Sequence, residues 1–455
     1  MWVYSEESMF RLVVFCTCFM AQSLLAATIG VVDSGTDIKH KDLAEFIWVN
    51  PIEIDNNNRD EDRNGYQDDI NGWNFAENNK NLIEYKYLGT FSADVYKFFE
   101  LQFLAMLGST TPEQLEWLRA KVQEEAFIKE LSIFGNFVHG THVAGISING
   151  LTNSKVISVK LIPTEVNLPK QEEATSMNKG LGMNLVKTAL NQLAKSQMTT
   201  MVVIASYLKG HKVDVVNGSF GTGYSQAAMI AGVVFKGIFW REAKQEELHE
   251  ATMHFMGALL EQGKLMLQEA PDTLFVFAAG NDGSNNDDFP ISPANIVEEN
   301  RISVAATYKR LALAPFSNYG QEMVDVAAPG MGIHSTIPGD EYIVISGTSQ
   351  AAPYVTRVAA GLKEINPALK PAELKKILMG TVDKKDFLAG KIKSGGMIND
   401  ERAMEAAKLS LSNTIEEAVK LSLAAVADLP VEKGLVKKDN LFLDFVLPLP
   451  SMFKF

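Results

Sequence analysis

Three residues of this sequence carry the side chains of an acyl-transfer site, and the first is a serine in a distinctive local context. Ser349 lies in the stretch SGTSQAAP at residues 346–353, just before apolar residues at helical spacing. We therefore expect it in the first turn of a helix, where unpaired backbone N–H groups and the helix dipole favour a developing oxyanion. Serine and threonine are also ordinary helix caps, so Thr348 or Ser349 alone does not establish catalysis.

The other two residues are an acid and a histidine. Asp33 follows the β-branched run IGVV at 29–32 and precedes a glycine turn, which is typical of a buried strand that ends in a carboxylate. His139 begins the stretch HGTHVAG at 139–145, whose small residues are typical of a helix packed closely under a sheet. His142 and His139 alone do not make a metal site, because no third ligand at suitable spacing accompanies them. A packed structural role is favoured for His142.

Asp, His and Ser in this chain order resemble the subtilisin-like serine proteases (subtilases), and the order differs from that of chymotrypsin-like and α/β-hydrolase enzymes. The segment VNGSFG at 216–221 is similar to the family's substrate-binding strand, and AAGND at 278–282 to its oxyanion-hole segment. The resemblance implies catalytic roles for Asp33, His139 and Ser349, with Asn281 in the oxyanion hole. The substrate-binding residues that it implies are Ser219, Phe220, Gly221, Ala279 and Gly280.

The resemblance extends from about residue 28 to about residue 408, and the order of elements agrees with it. Apolar runs typical of strands lie at 155–161, 201–205, 213–216, 274–278, 302–305 and 323–327, with a helical segment at 181–194. Such alternation predicts an α/β fold. We expect a subtilisin-like three-layer fold with a mostly parallel central sheet and two helical insertions, at about residues 84–137 and 224–269.

Both insertions have helical patterns. In the first, TPEQ at 111–114 is a capping box with proline at the first helical position. The preceding stretch 91–107 is dense in Phe and Leu, so we expect it to be buried against the catalytic domain or a partner. The second has helical spacing over 227–240 and 246–267, and Lys236 interrupts its apolar run, which argues against a membrane span.

An acid-rich stretch, DEDRNGYQDD at 60–69, predicts a calcium site. Acidic and amide side chains at every second position before a glycine let one loop wrap a hard cation. The full EF-hand pattern is absent, because position twelve is Asn71 where that pattern has glutamate. A solvated acidic loop is the alternative. The predicted ligands are Asp60, Asp62, Asn64, Tyr66 and Asp68, and the family resemblance adds Asp42.

Composition narrows the function class. The chain has 455 residues, 46% hydrophobic and 21% charged, with a net charge of −13, which argues against a nucleic-acid partner. Cys16 and Cys18 both lie in the apolar N-terminal stretch, so we expect no disulfide in the folded part. The apolar run 12–20 after Arg11, followed by AQS at 21–23, predicts a signal peptide and a secreted, periplasmic or cell-envelope location. A buried N-terminal strand or helix is the alternative.

The predicted organisation is a signal peptide at residues 1–23, a catalytic domain at 24–410, and a C-terminal helix and tail at 411–455. The predicted function is a secreted serine endopeptidase that cleaves proteins or peptides through an acyl-enzyme, with structural calcium. The alternative is a non-catalytic or self-inhibited subtilase fold that binds a partner through its helical insertions. Asp288 aligns with the floor of the family's specificity pocket, which would favour a basic residue on the acyl side of the cut. Alternatively, Asp288 faces solvent or caps a turn.

Overall fold

A computed structural model describes residues 27–165 and 182–431, and its centre is a mixed sheet. The predicted signal peptide, both cysteines and the predicted tail after residue 431 lie outside the described residues. The strands are β1 (Thr28–Asp33), β2 (Gly72–Asn74), β3 (Lys155–Lys160), β4 (Val215–Gly218), β5 (Leu274–Ala278), β6 (Arg301–Tyr308), β7 (Ala312–Leu313), β8 (Val326–Pro329), β9 (Ile333–Ile337), β10 (Glu341–Ile345), β11 (Asp383–Lys384) and β12 (Gly396–Met397).

The α-helices follow in chain order. They are α1 (Ala93–Met106), α2 (Pro112–Lys121), α3 (Glu125–Ile148), α4 (Gly182–Gly210), α5 (Tyr224–Phe239), α6 (Gln245–Glu269), α7 (Thr348–Ile365), α8 (Pro371–Gly380), α9 (Asp400–Leu409) and α10 (Ile415–Ala425). Short 3₁₀ helices span Ala44–Phe46, Tyr85–Tyr87 and Asp386–Leu388.

The sheet has the order β11-β12-β8-β6-β5-β4-β1-β3-β2, and β7 pairs with β6. Its pairs are parallel, except β11 with β12 and β7 with β6, while β9 and β10 form a separate antiparallel hairpin. Successive residues of β1 face opposite sides. Val31 packs with Val143 of α3 and Ala360 of α7, whereas Val32 packs in the cluster that contains Leu208 of α4. Helices therefore cover both faces, which confirms the predicted α/β class with its mostly parallel sheet.

One predicted strand is wrong. Residues 201–205 are not a strand but part of α4, which continues without a break to Gly210. Met201, Ile204 and Leu208 are buried while Val203 is 42% exposed, which is helical and not alternating periodicity. The β-branched run misled the prediction because helix packing overrides local propensity. Two strands also begin later than predicted, at Val215 and Val326.

The first insertion has its own aromatic core. Phe98, Phe99 and Phe134 are buried in one cluster, together with Ile337 and Ile345 of the β9–β10 hairpin. The burial predicted for the phenylalanine-rich stretch is confirmed. The capping box at Thr111 is also confirmed, with reciprocal bonds of 3.3 and 2.9 Å between Thr111 and Gln114.

The second insertion and the C-terminal helix pack onto the α/β layers. Helices α5 and α6 pack against each other and against α4. Helix α10 packs on α9, and Arg402 of α9 forms a 2.8 Å ion pair with Asp428 beyond α10. Within the described parts of the chain, no helix is long and apolar enough to cross a bilayer.

Candidate active site

Asp33 and His139 are in direct contact at the end of β1. His139 Nδ1 lies 2.7 Å from Asp33 Oδ1, which also accepts a 2.7 Å bond from the Ser34 N–H. The Asp33 side chain is 1% exposed and that of His139 is 11% exposed, so the pair is shielded but reachable from one side. A buried carboxylate on Nδ1 fixes which ring nitrogen carries the proton and favours the imidazolium once it forms.

This contact depends on a close approach between α3 and the loop after β1. Gly140 follows His139 directly, and a Cβ at Gly140 would stand 2.2 Å from the Gly35 carbonyl oxygen. Only glycine permits that distance. The small residues predicted to pack under the sheet are therefore what brings the histidine to the strand end.

Ser349 lies in the first turn of α7, as predicted from its sequence context. The N-cap residue is Gly347, whose cap makes no side-chain hydrogen bond, so Thr348 and Ser349 are not the cap. The Ser349 hydroxyl donates a 3.3 Å hydrogen bond to the Ser219 carbonyl, and the Ser219 hydroxyl donates a 2.9 Å bond to the Ser349 carbonyl. The serine is thus held against the segment that follows β4, on the carboxyl side of the parallel strands.

Asn281 is oriented by the residue before the serine. The Thr348 N–H and hydroxyl donate to Asn281 Oδ1 at 2.9 and 2.8 Å, and Thr348 Oγ1 in turn accepts from the Gly280 N–H at 3.1 Å. Since the amide oxygen is occupied, Nδ2 points to the other side, towards Gly347. A Cβ at Gly347 would stand 3.3 Å from that nitrogen and 2.9 Å from Gln350 Oε1, so a side chain at this position would crowd both groups.

The remaining predicted substrate-binding residues lie either in the interior or at the surface. Phe220 is 1% exposed and packs against Phe277, so its side chain belongs to the core. Gly221 and Ala279 are also buried. Asp288 is exposed and accepts a 2.8 Å bond from Asn285, which fits a turn facing solvent better than a pocket floor.

His142 is a fully buried structural residue. Its Nε2 lies 3.2 Å from the Ile343 carbonyl of β10, and burial lowers the pKa of His142 to about 3. The neutral ring therefore anchors α3 to the hairpin. This agrees with the packed role favoured by the sequence.

The predicted calcium ligands are only partly brought together. Glu53, Asp60 and Asp62 place one carboxylate oxygen each within 4.8 Å of one another. Asp68 instead pairs with Lys80 at 3.1 Å. Asn64 donates to Asp62 Oδ2 at 3.0 Å, and the Tyr66 ring packs against Trp73, Phe75 and Tyr207.

Asp42 lies away from the acid-rich loop. It accepts a 2.6 Å hydrogen bond from the Tyr342 hydroxyl, and this bond raises the pKa of Tyr342 to about 12. Asp42 is not a member of either carboxylate-rich group that the described residues form.

Several residues of the site were missed by the sequence reasoning. Thr348 orients Asn281, and the only signal for it was its place beside the serine. Glu53 joins the acidic group from outside the recognised motif. Gln350, by contrast, is singled out by the sequence, because it stands directly after Ser349 where many family members have an oxidisable methionine; it is 1% exposed.

An aspartate–histidine pair at a strand end and a serine at a helix start, on a mostly parallel sheet, define a subtilisin-like α/β protein. The family model described as "Subtilase family" (peptidase S8) matches residues 104–401, which is more than half of the chain. The chain belongs to the subtilase family. The matched segment includes His139, Asn281 and Ser349, while Asp33 precedes it.

Individual relatives are similar over shorter stretches. Alkaline elastase YaB of Bacillus sp. (strain YaB) is 34% identical over 162 residues, covering 35% of this chain and 40% of the relative. The cell wall-associated protease of Bacillus subtilis (strain 168) is 38% identical over 116 residues, which are 26% of this chain and 12% of that protein. Subtilisin-like protease 2 of Plasmodium falciparum is 29% identical over 222 residues, 49% of this chain and 13% of the relative. The chain thus spans less than half the length of each.

A crystal structure of a cold adapted subtilisin-like serine proteinase is similar, with a TM-score of 0.40 and 18% identity, over 82% of this chain and 86% of that chain.

Proposed function

We propose that this chain is a serine endopeptidase that hydrolyses peptide bonds through an acyl-enzyme, with Asp33, His139 and Ser349 as its catalytic residues. The observation that carries the proposal is the buried 2.7 Å contact between His139 and Asp33. Family membership supports the reaction class, since subtilases are usually endopeptidases of this type. The proposed domain organisation remains a catalytic domain at 24–410 followed by a helix and tail at 411–455.

In the proposed reaction His139 acts first as a general base. A serine hydroxyl is a weak nucleophile at neutral pH, so Ser349 needs a base on its proton. The reaction requires the hydroxyl to leave the Ser219 carbonyl and turn towards His139 by rotation about the Cα–Cβ bond of Ser349. His139 then returns the proton to the leaving amine, while Asp33 stabilises the imidazolium.

Asn281 would supply the oxyanion donor. Its amide oxygen is bound by Thr348, which leaves the nitrogen turned towards the start of α7. The Ser349 backbone N–H lies at the same helix end, where N–H groups have no partner within the helix. Donors held in place before the reaction stabilise negative charge without reorganising, which lowers the barrier to acyl transfer. Thr348 acts here as a positioning residue.

The proposed substrate site runs along the segment after β4. The backbone of Ser219, Phe220 and Gly221 would pair with an extended peptide. The N–H groups of Ala279 and Gly280 already donate to Val304 and Thr348, so these two residues would line the site without pairing. Peptide binding by backbone pairing fixes the register of the scissile bond and depends little on side chains. Proteins or peptides are therefore the proposed substrates.

We propose calcium as a structural ion in the acid-rich loop. The oxygen-only group of Glu53, Asp60 and Asp62 fits a hard cation, which takes carboxylate and carbonyl oxygens. Backbone N–H groups already fix two of these carboxylates: Asp60 accepts bonds from Asn64 and Gly65, and Glu53 accepts them at both of its oxygens. Asp42 and Asp68, which have other partners, are less suited to the same ion.

Export remains part of the proposal. The apolar run and cleavage-like triplet at residues 12–23 favour a signal peptide, and one relative is named a cell wall-associated protease. We propose a secreted or cell-envelope location.

A fluorophosphonate probe tests the activity. We expect labelling of the wild-type chain at Ser349, loss of labelling in Ser349→Ala, and full labelling in the control Ser132→Ala, which removes an exposed serine hydroxyl from α3. The alternative, a non-catalytic or self-inhibited fold that binds a partner through the helical insertions, predicts no labelling of a folded, calcium-loaded sample. Such a result would contradict the proposed enzyme.

A further inference from the structure

A second group of metal-binding side chains joins the acid-rich loop to the end of α4. Asp62 and Asp69 come from the loop, and His211 follows Gly210, the last residue of the helix. One ligand atom from each lies within 4.8 Å of the others, and His211 Nε2 is 3.4 Å from Asp69 Oδ2. Two ligands about 2.0–2.1 Å from a tetrahedral ion stand about 3.4 Å apart, so this pair already has that spacing.

The charge of the group is not balanced by a fixed positive charge. Asp69 is fully buried and forms its ion pair with His211. Among the described residues, at 27–165 and 182–431, Asp62 pairs with no Lys or Arg. Asn50 and Asn64 each donate amide bonds of 2.9–3.0 Å to both carboxylates. These neutral amides satisfy the hydrogen-bonding capacity of the two carboxylates but do not neutralise their negative charge. Because an uncompensated buried charge is costly, the group favours a bound cation.

Tyr207 gives an independent indication of a ligand here. The residue is 5% exposed, and its hydroxyl has no hydrogen-bond partner in the described part of the chain. Buried hydroxyls are normally satisfied. The hydroxyl lies near the Asp69 carboxylate without forming a hydrogen bond of good geometry to it.

The ring of His211 is held in place for binding. It contacts Tyr207 and Trp48 edge-on, with ring centroids 4.5 and 4.8 Å apart. These contacts keep Nε2 directed at the carboxylates. Asn64 is exposed and lies over the group, with its amide nitrogen 2.9 Å from Asp69 Oδ2, so an ion reaches the site from solvent by displacing one side chain.

We propose that Asp62, Asp69 and His211 bind a divalent transition-metal ion of the zinc class, and that Tyr207 orients Asp69 as an outer partner. The imidazole nitrogen decides the class, because calcium and magnesium take oxygen ligands whereas zinc, cobalt and related ions accept nitrogen. The donor set therefore differs from the oxygen-only group proposed for calcium, with which it shares Asp62 as a bridging carboxylate. The ion ties the acid-rich loop to α4.

Cobalt titration of the full chain tests the proposal. The protein is stripped of metal with a chelator, returned to excess calcium, and titrated with Co²⁺, whose visible absorption reports the ligands and geometry around it. We expect one Co²⁺ per chain, displaced by Zn²⁺. His211→Gln should weaken binding by at least about 100-fold, because the loss of even an outer partner costs roughly 10–100-fold. Tyr207→Phe, which removes only that outer partner, should cost roughly 10–100-fold.

Two control variants separate this site from other binding. His249→Gln removes an exposed imidazole on α6, and Asp60→Asn removes a carboxylate of the calcium group; both should keep the Co²⁺ spectrum. A wild-type chain without stoichiometric Co²⁺ binding, or equal affinity in His211→Gln, would overturn the proposal. Should His211→Gln fail to fold, Tyr207→Phe decides, since wild-type affinity in that variant also contradicts it.

Discussion

The substitution Gly140→Ala tests whether the close approach of α3 to β1 sets the position of His139, the proposed general base. The added Cβ would stand 2.2 Å from the Gly35 carbonyl oxygen, and real Cβ atoms keep at least 3.0 Å. One side must therefore move by at least about 0.8 Å. The loop has little room to move, because a Cβ placed on Gly35 itself would stand 2.0 Å from the Leu82 carbonyl oxygen. The displacement thus falls on α3, at the residue next to His139.

The expected effect on activity is larger than the effect on stability. A misplacement of about 1 Å at a catalytic group costs roughly 100-fold in rate, so we expect kcat/KM for a chromogenic peptide to fall about that much. Overpacking costs about 1–3 kcal/mol, which should lower the melting temperature without unfolding the chain. The rate of fluorophosphonate labelling should fall with kcat/KM.

Gly257→Ala is the matched control for this experiment. Gly257 is also helical, in α6, and nothing lies within 4 Å of a Cβ there. We expect unchanged kcat/KM and a stability gain of up to about 1 kcal/mol from helix propensity. If Gly140→Ala keeps wild-type kcat/KM and melts with the wild type, the packing account of His139 is wrong.

Four further predictions concern pH, oxidation, calcium and specificity. Because burial lowers the pKa of His142 to about 3 while the unfolded ring titrates near 6.5, its contribution to stability is complete above pH 6.5. It is lost on acidification at about 1.4 kcal/mol per pH unit. Urea unfolding at pH 7 and pH 5 should therefore show a flatter dependence for His142→Gln, and equal slopes would contradict this. Wild-type activity should resist peroxide, whereas Gln350→Met should be inactivated through sulfoxide formation beside the nucleophile. Equal peroxide sensitivity of the two proteins would contradict the placement of residue 350 beside the nucleophile. A calcium chelator should lower the melting temperature, and Asp60→Asn should reduce that sensitivity. A free calcium concentration of a hundred times Kd stabilises the native state by about 2.7 kcal/mol. A melting curve that the chelator does not shift would contradict the calcium proposal. Asp288→Asn should leave the cleavage profile of a peptide library unchanged, since Asp288 is exposed; a lost preference for Arg or Lys would restore it to the pocket.

Local signals in the sequence were sufficient for elements whose structure is determined by their own residues. The strand from Leu274 to Ala278 and the capping box at Thr111 were predicted where they occur. The run at 201–205 failed because its β-branched residues look like a strand, while the packing that makes it helical lies elsewhere in the chain. Val213 illustrates the limit on element ends, since β4 begins only at Val215.

The sequence predicted which residues form the candidate site, but not which of them contact one another. Asp33, His139 and Ser349 stand in recognisable motifs, so their hypothesis preceded any geometry. Thr348 could not be assigned its hold on Asn281, because 67 residues separate the two. The pairing of His211 with Asp69 was equally hidden, since nothing local in either segment indicates the other.

Helix α3 couples the order of the first insertion to that of the strand end where His139 lies. Its 24 residues, from Glu125 to Ile148, run for about 36 Å and include both Phe134 of the insertion's aromatic core and His139 at the strand end. A single uninterrupted rod cannot be ordered at one end and loose at the other without breaking its hydrogen-bond ladder. The insertion and the histidine therefore form one cooperative unit. A change in the insertion's aromatic packing would therefore alter the rate of the proposed reaction through the position of His139.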